Sequence, residues 1–303
     1  MTRKNFITIG TFDGVHPGHR ALFARLSRLA ALHQMRPQVL YFPYPPKTLL
    51  SATPQMTVLS TPPEKKALLK ACLETPAVEL NFQAYREYSA EHFFKKVLLE
   101  KYRCGGILAG PDFAFGKNRQ GDGEFLKRKC AQLGLPFEIL PFYDAPGGAK
   151  VSSSLIRKTL AEGKIKEANA LLGRPYSLEG RVITGKKLGR KIGFPTANLD
   201  INFYKLLPLG VFAVRVRVGK RHYRGICNIG FRPTVNPIDS ILPLAEVHIL
   251  DFHRSIYGRR IEVQFADKLR GEVKFAGLDE LKAELARNAQ TARQVISDGD
   301  LAD

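Results

Sequence analysis

The hydrophobic period of this chain changes once, near Gly173-Arg174-Pro175-Tyr176, and that change limits the fold more than any other feature. Before it, short apolar runs at residues 6–9, 38–42, 78–82, 107–109 and 137–140 read as strands. Between them lie stretches of helical spacing. One begins at Gly18 and brings Leu22, Leu26, Leu29 and His33 onto one face, and others cover 64–73, 90–102, 124–133 and 164–172. Ser89 is placed to cap one of these helices, and Gly134 and Gly173 to stop two others. Strands alternating with helices predict a parallel sheet covered on both faces. After the change, runs at 178–184, 211–218, 223–229, 245–252 and 261–265 predict a small antiparallel barrel, closed by a helix over 278–297. The expectation is therefore two domains, residues 1–175 and 176–303, each long enough to bury a core.

Within the first half, one stretch combines the sheet's carboxyl edge with unusual chemistry: Ile7-Thr8-Ile9-Gly10-Thr11-Phe12-Asp13-Gly14-Val15-His16-Pro17-Gly18-His19. His16 and His19 fall where a strand ends and a helix begins. In α/β sheets ligands collect at that edge, and helix N-termini favour anions such as phosphate. Two imidazoles could donate to phosphoryl oxygens, and Gly18 lets the backbone come close. Zinc binding is a second reading, although no Cys or third His stands nearby to complete a tetrahedral set. Plain helix capping is a third. Downstream, Val151-Ser152-Ser153-Ser154-Leu155-Ile156-Arg157 opens another helix. Its serines are either caps or, with Arg157 one turn on, a phosphate cradle. The loop from Gly110 to Gly123 mixes Asp112, Phe113, Phe115, Arg119 and Asp122. It is a surface loop with two anchoring rings, or a cover for an aromatic ligand with Arg119 on phosphate.

Composition excludes several classes. At 44% hydrophobic and 25% charged, with no low-complexity segment, the chain reads as a globular protein. Met1-Thr2-Arg3-Lys4-Asn5 leads straight into a strand, so neither a signal peptide nor a spanning segment is expected, and a cytoplasmic location follows. Cys72, Cys104, Cys130 and Cys227 are scattered, as reduced thiols would be. The net charge of +19 suits polyanionic nucleotide substrates, a nucleic acid, or merely a basic, soluble surface. Small molecules are the expected partners, with no nucleic acid or membrane, and no oligomeric state is specified.

In the second half the informative string runs from Gly180 to Leu199, ending Gly185-Lys186-Lys187-Leu188-Gly189-Arg190-Lys191-Ile192-Gly193-Phe194-Pro195-Thr196-Ala197-Asn198-Leu199. It is no Walker A loop, since G-K-[ST] is missing. Its basic residues could alternatively form a solvated hairpin or an RNA patch. Further on come Gly210-Val211-Phe212-Ala213-Val214, Asn228-Ile229-Gly230-Phe231-Arg232-Pro233-Thr234, Ala245-Glu246-Val247-His248 and Leu269-Arg270-Gly271-Glu272.

Taken in order, these strings resemble the bacterial bifunctional riboflavin kinase/FMN adenylyltransferase (FAD synthetase) family over nearly the whole chain. H-P-G-H is similar to the H-x-G-H signature of nucleotidyltransferases, and G-P-D-F-A-F-G-K-N-R-Q-G-D, S-S-S-L-I-R and G-F-P-T-A-N-L resemble the family's other motifs. The resemblance implies a Rossmann-like nucleotidyltransferase domain followed by a riboflavin kinase barrel. It implies that riboflavin and ATP give FMN, and that FMN and ATP then give FAD and pyrophosphate. Gly10, Phe12, Asp13 and Gly18 would line the first ATP site. His16 and His19 would bind the transferring phosphate, while Ser152, Ser153, Ser154 and Arg157 hold the leaving group. Asp112, Phe113, Phe115, Arg119, Asp122 and Arg270 would meet flavin or nucleotide. In the kinase, Gly185, Gly189, Arg190 and Gly193 would cradle phosphates, and Glu246 would be the general base. Thr196 and Asn198 would hold Mg²⁺, a hard cation suited to oxygen donors beside phosphate and water. The chain departs from the family pattern at Thr11 (commonly Asn), Tyr44 (commonly His), Asn288 (often Asp) and across 237–244. Two other readings stand beside this one: a nucleotidyltransferase with another phosphorylated acceptor, and a basic RNA-binding protein on a degenerate nucleotide fold.

Overall fold

The computed structural model describes residues 3–50, 57–145, 148, 150–185, 188–231, 243–273 and 275–302. By contacts the chain divides into two compact units, Met1–Ser153 and Ser154–Asp303.

In the first unit, strands β1 (Asn5–Gly10), β2 (Arg36–Tyr41), β3 (Val78–Glu79) and β4 (Cys104–Ala109) join β7 (Phe137–Ile139) in a parallel sheet of order β3-β2-β1-β4-β7. Their side chains alternate between two covers. Phe6, Val39, Tyr41 and Leu108 pack with Leu22, Phe23, Leu26 and Leu29 of helix α1 (Pro17–Leu32) and with Leu69. On the other face Ile7, Ile9, Leu40 and Ile107 meet Phe93, Phe94, Val97, Leu98 and Leu126. Burial on both faces is why these strands read as continuous apolar runs.

Helices α2 (Pro46–Leu50), α3 (Pro62–Cys72), α4 (Phe82–Tyr85) and α5 (Ala90–His92) complete the crossovers. Residue 78–82 was expected to be one strand, but the ladder lasts two residues. Asn81 accepts from Gln83 N and turns the chain into α4 instead. Ser89 caps α5 as expected, and the helix then widens to π geometry over Phe93–Lys101. The 110–123 loop is more ordered than its composition suggested. It folds as a hairpin of β5 (Ala114–Phe115) and β6 (Gly121–Asp122) around a 3₁₀ turn at Lys117–Arg119, and leads into α6 (Gly123–Gln132).

The second unit holds most of α7 (Ser153–Ala161), together with α8 (Ile165–Leu172), which Gly173 ends in a left-handed conformation. Strands β8 (Ser177–Ile183), β9 (Ala197–Asp200), β10 (Gly210–Val218), β11 (Arg221–Gly230), β12 (Leu244–Ile249) and β13 (Arg260–Arg270) close a barrel in the order β10-β11-β12-β9-β8-β13. Strand β9 and the short helix α9 (Leu188–Lys191) were not separate elements in the sequence reading. Phe212, Val214, Val263 and Phe265 are fully buried on the barrel strands. Helix α10 (Leu278–Val295) covers one outer face, where Ala289, Ala292 and Ile296 pack on Val211, Ala213 and Ile226.

Candidate functional site

Two constellations stand out, one in each unit. The first is the turn between β1 and α1. Phe12 and Val15 take positive φ (44° and 41°) around Gly14 (φ 80°), a strained path for side-chain-bearing residues. The Asp13 carboxylate explains how it is held. It is buried and accepts from Leu59 N at 3.1 and 3.0 Å, from Ser60 N at 3.1 Å and from Ser60 Oγ at 3.3 Å. Gly14 N donates back to Ser60 Oγ at 3.0 Å. Gly10 leaves room for the Phe12 ring, which a Cβ there would meet at 2.8 Å. Phe12 in turn meets the His19 ring edge-on at 5.3 Å. Both therefore support the turn and set the wall behind His19.

His16 is the N-cap residue of α1 and offers its carbonyl to His19 N and Arg20 N, at 2.9 and 3.1 Å. Its buried ring stacks on His19 with centroids 3.6 Å apart. A Cβ on Gly18 would stand 3.2 Å from the His16 ring, so glycine there lets the two imidazoles close together. No acidic residue occupies the helix's first turn. Burial first, then the neighbouring charges of His16 and Lys65, hold His19 well below the ordinary imidazole pKa, so it is neutral at pH 7. Among the described residues, no hydrogen-bond partner reaches its Nδ1. Ser153 Oγ donates to the Asp13 carbonyl at 2.8 Å, which ties Ser153 to the histidine turn. Ser154 and Arg157 lie beyond the division between units, with Arg157 Nη1 3.5 Å from Ser154 Oγ. Among the described residues, no cluster of three or more His, Cys, Asp or Glu could hold a metal ion.

Lys65 is the residue that sequence reading missed. In Glu64-Lys65-Lys66 it looks like part of a solvated helix face, yet it is fully buried and donates to the carbonyls of Phe42 and Pro43 at 3.2 and 2.8 Å. In the hairpin, Phe115 is core, stacked on half-buried Phe113 at 5.4 Å. Asp122 accepts from Phe125 N at 2.8 Å as the cap of α6, while Asp112 and Arg119 are exposed.

The second constellation crosses the barrel wall. Glu246 on β12 pairs in register with Asn198 on β9 and with Asn228 on β11, so the three side chains leave the same face in one row. Asn198 is buried and Glu246 half-buried. A Cβ on Gly185 would collide with the Asn198 amide, and one on Gly189 with the Phe194 carbonyl. Gly193 takes φ 83°. Gly189 and Gly193 let residues 188–196 fold tightly before β9, and Gly185 makes room for the Asn198 amide. Arg190 is exposed on α9. His248, two residues after Glu246, places Nδ1 2.8 Å from the Pro195 carbonyl. Arg270 ends β13 with Nε 3.0 Å from Glu284 Oε1 of α10 and its guanidinium 5.4 Å from the Phe275 ring. Lys186, Lys187, Arg232, Pro233, Thr234 and residues 237–242 lie outside the described residues.

Comparison with known proteins follows the same division. A family model for FAD synthetase matches residues 1–155, and one for riboflavin kinase matches residues 172–296. A curated bifunctional riboflavin kinase/FMN adenylyltransferase from Escherichia coli K12 is 37% identical over 290 residues, 95% of this chain and 91% of its own. A protein of the same name from Haemophilus influenzae is 35% identical over 289 residues, 95% of this chain and 92% of its own. A crystal structure described as a macrolide-efflux protein from Streptococcus pneumoniae superposes with a TM-score of 0.83 at 30% identity, covering 97% of this chain and 95% of that one. The word efflux belongs to that description, whereas both family models and the curated relatives agree on flavin nucleotides.

Proposed function

The chain belongs to the bifunctional riboflavin kinase/FMN adenylyltransferase family, and on that premise we propose a two-step flavin-nucleotide synthesis. Riboflavin and ATP give FMN and ADP in residues 176–303, and FMN and ATP give FAD and pyrophosphate in residues 1–175. The observation that carries this reading is the co-occurrence, in one chain, of a paired-imidazole turn on a parallel sheet and a Glu–Asn row on a closed barrel. Another acceptor would leave the barrel unexplained, and an RNA-binding role would leave both side-chain arrangements so. Neither alternative is favoured.

In the adenylyl transfer, the 5′-phosphate of FMN attacks the α-phosphorus of ATP and pyrophosphate departs. No covalent nucleophile on the protein is needed, only alignment and charge stabilisation. His16 and His19 donate to oxygens of the transferring phosphate, and a neutral His19 has one N–H for that task. Ser152, Ser153, Ser154 and Arg157 hold the departing pyrophosphate, with Gly18 giving the backbone close approach. Phe113, Phe115, Asp112, Arg119 and Asp122 form the flavin-side hairpin. Gly10, Phe12 and Asp13 act by shaping the turn.

In the kinase, Glu246 takes the proton of the riboflavin 5′-hydroxyl as the γ-phosphoryl group transfers in line. Gly185, Gly189, Arg190 and Gly193 bind phosphates, and Arg270 orders the flavin side. The oxygens of Thr196 and Asn198 fit Mg²⁺, which accepts few protein ligands when substrate phosphates and water supply the rest. When bound, the ion neutralises charge on the phosphate oxygens. A cytoplasmic enzyme acting on small molecules completes the reading. Among the described residues, no helix is long and apolar enough to cross a membrane.

The test is direct. With riboflavin, ATP and Mg²⁺, separation of the flavins should show FMN followed by FAD, and neither appearing would overturn the proposal. Glu246→Gln should stop FMN formation while sparing FAD formation from supplied FMN. His19→Ala should do the reverse, losing about 100-fold or more in FAD formation.

A further inference from the structure

The ladder between β9 and β12 is three residues long: Ala245 with Leu199, Glu246 with Asn198, and Val247 with Ala197. Thr196 lies just past its end. The next link back to β12 is made by a side chain. His248 leaves the same face as Glu246, two residues on, and its Nδ1 stands 2.8 Å from the Pro195 carbonyl. A carbonyl only accepts, so Nδ1 carries the proton and Nε2 the lone pair. Phe194 meets the same ring at 5.3 Å and a steep angle, 62° between planes. Upstream, Gly193 has φ 83° and no atom within 4 Å of where a Cβ would stand. The approach to Thr196 is thus pinned from β12 by one imidazole.

We propose that His248 is a positioning residue of the kinase site, whose Nδ1–H bond to Pro195 extends the β9–β12 pairing by one link and sets Thr196 in line with Asn198 opposite Glu246. This rests on the kinase reading of Glu246, Thr196 and Asn198 given above. It joins the phosphate-side segment to the strand that carries the base, so a displacement of Pro195 shows in the binding of ATP more than in that of riboflavin.

Two near-isosteric variants test it in the full chain. His248→Asn puts an amide N–H where Nδ1 stands, and His248→Gln puts one nearer Nε2. The Asn variant should keep riboflavin kinase turnover within about threefold of wild type, whereas the Gln variant should raise KM for ATP about tenfold, the size of one net hydrogen bond. FAD formation from supplied FMN should be unchanged in both, which reports intact folding of the other unit, and thermal melting reports the barrel. Gln performing as well as Asn, or both matching wild type, would overturn the inference. Loss of the kinase reading itself would look different: wild-type protein making no FMN, or Glu246→Gln retaining turnover.

Discussion

His19 binds a proton less readily in the folded chain than in the unfolded one, because burial and the charges of His16 and Lys65 oppose its charged form. The sign follows from linkage. As pH falls through about 6.5 the unfolded imidazole gains a proton that the folded one refuses, so stability is lost below that pH and fully present above it. Thermal melting from pH 7.5 to pH 5 should therefore flatten in His19→Gln relative to wild type, and an unchanged slope would reject this account. Thiols test burial in the same way. Burial pushes Cys104 up to about 12 and Cys130 up to about 11, and raises Cys227 further, while Cys72 is exposed. A thiol reagent at pH 8 should modify Cys72 quickly and the other three only after denaturant is added. At this scale the sequence placed the histidines at a strand–helix turn, because the apolar run stops at Gly10 and helical spacing starts at Gly18. It could not locate Lys65, whose buried ammonium depends on carbonyls some 22 residues away in the chain. Nor could it assign Asp13 to the amides of Leu59 and Ser60, a partnership across 46 and 47 positions.

That partnership is what an element-level view explains. A carboxylate accepting from two successive amides and a hydroxyl ties the strand–helix turn to the chain just ahead of α3, whose own start carries a Thr61–Glu64 capping box. Replacing Asp13 with Ala leaves those donors buried and unmatched. The expected loss is about 2–4 kcal/mol of stability by denaturant titration, with FAD formation falling more than FMN formation. On the barrel side, Gly185→Ala should weaken the kinase without unfolding the protein, since the added methyl and the Asn198 amide claim the same space. Assay of both activities separates the two outcomes. Helices were legible from spacing and caps, as with Ser89 and Gly173. The 110–123 hairpin and β9 were not, because strands of two and four residues are too short to show an alternating pattern. The π stretch lies inside the 90–102 segment of helical spacing, and that spacing does not separate π from α geometry.

The whole molecule was readable as α/β followed by barrel because the hydrophobic period changes from strands alternating with helices to a run of strands closed by one long helix. Contacts place the last two helices of the first half with the barrel. Helix α8 shows why: Asn169 Nδ2 donates to the Phe265 carbonyl at 2.8 Å, and Asn169 Oδ1 accepts from Tyr176 N at 2.7 Å. A fragment of residues 154–303 should therefore melt higher than one of residues 176–303, with an unfolding free energy about 2–5 kcal/mol larger for the bonds of Asn169 and buried Ile165, Ala168 and Leu172. Equal melting of the two would contradict that attachment. Among the described residues the six barrel strands each have two partners, and the edges of the parallel sheet are β3 and β7, two and three residues long. Neither rim offers enough free amides to template a foreign strand, so the folded protein should tolerate crowding at high concentration without seeding fibrils.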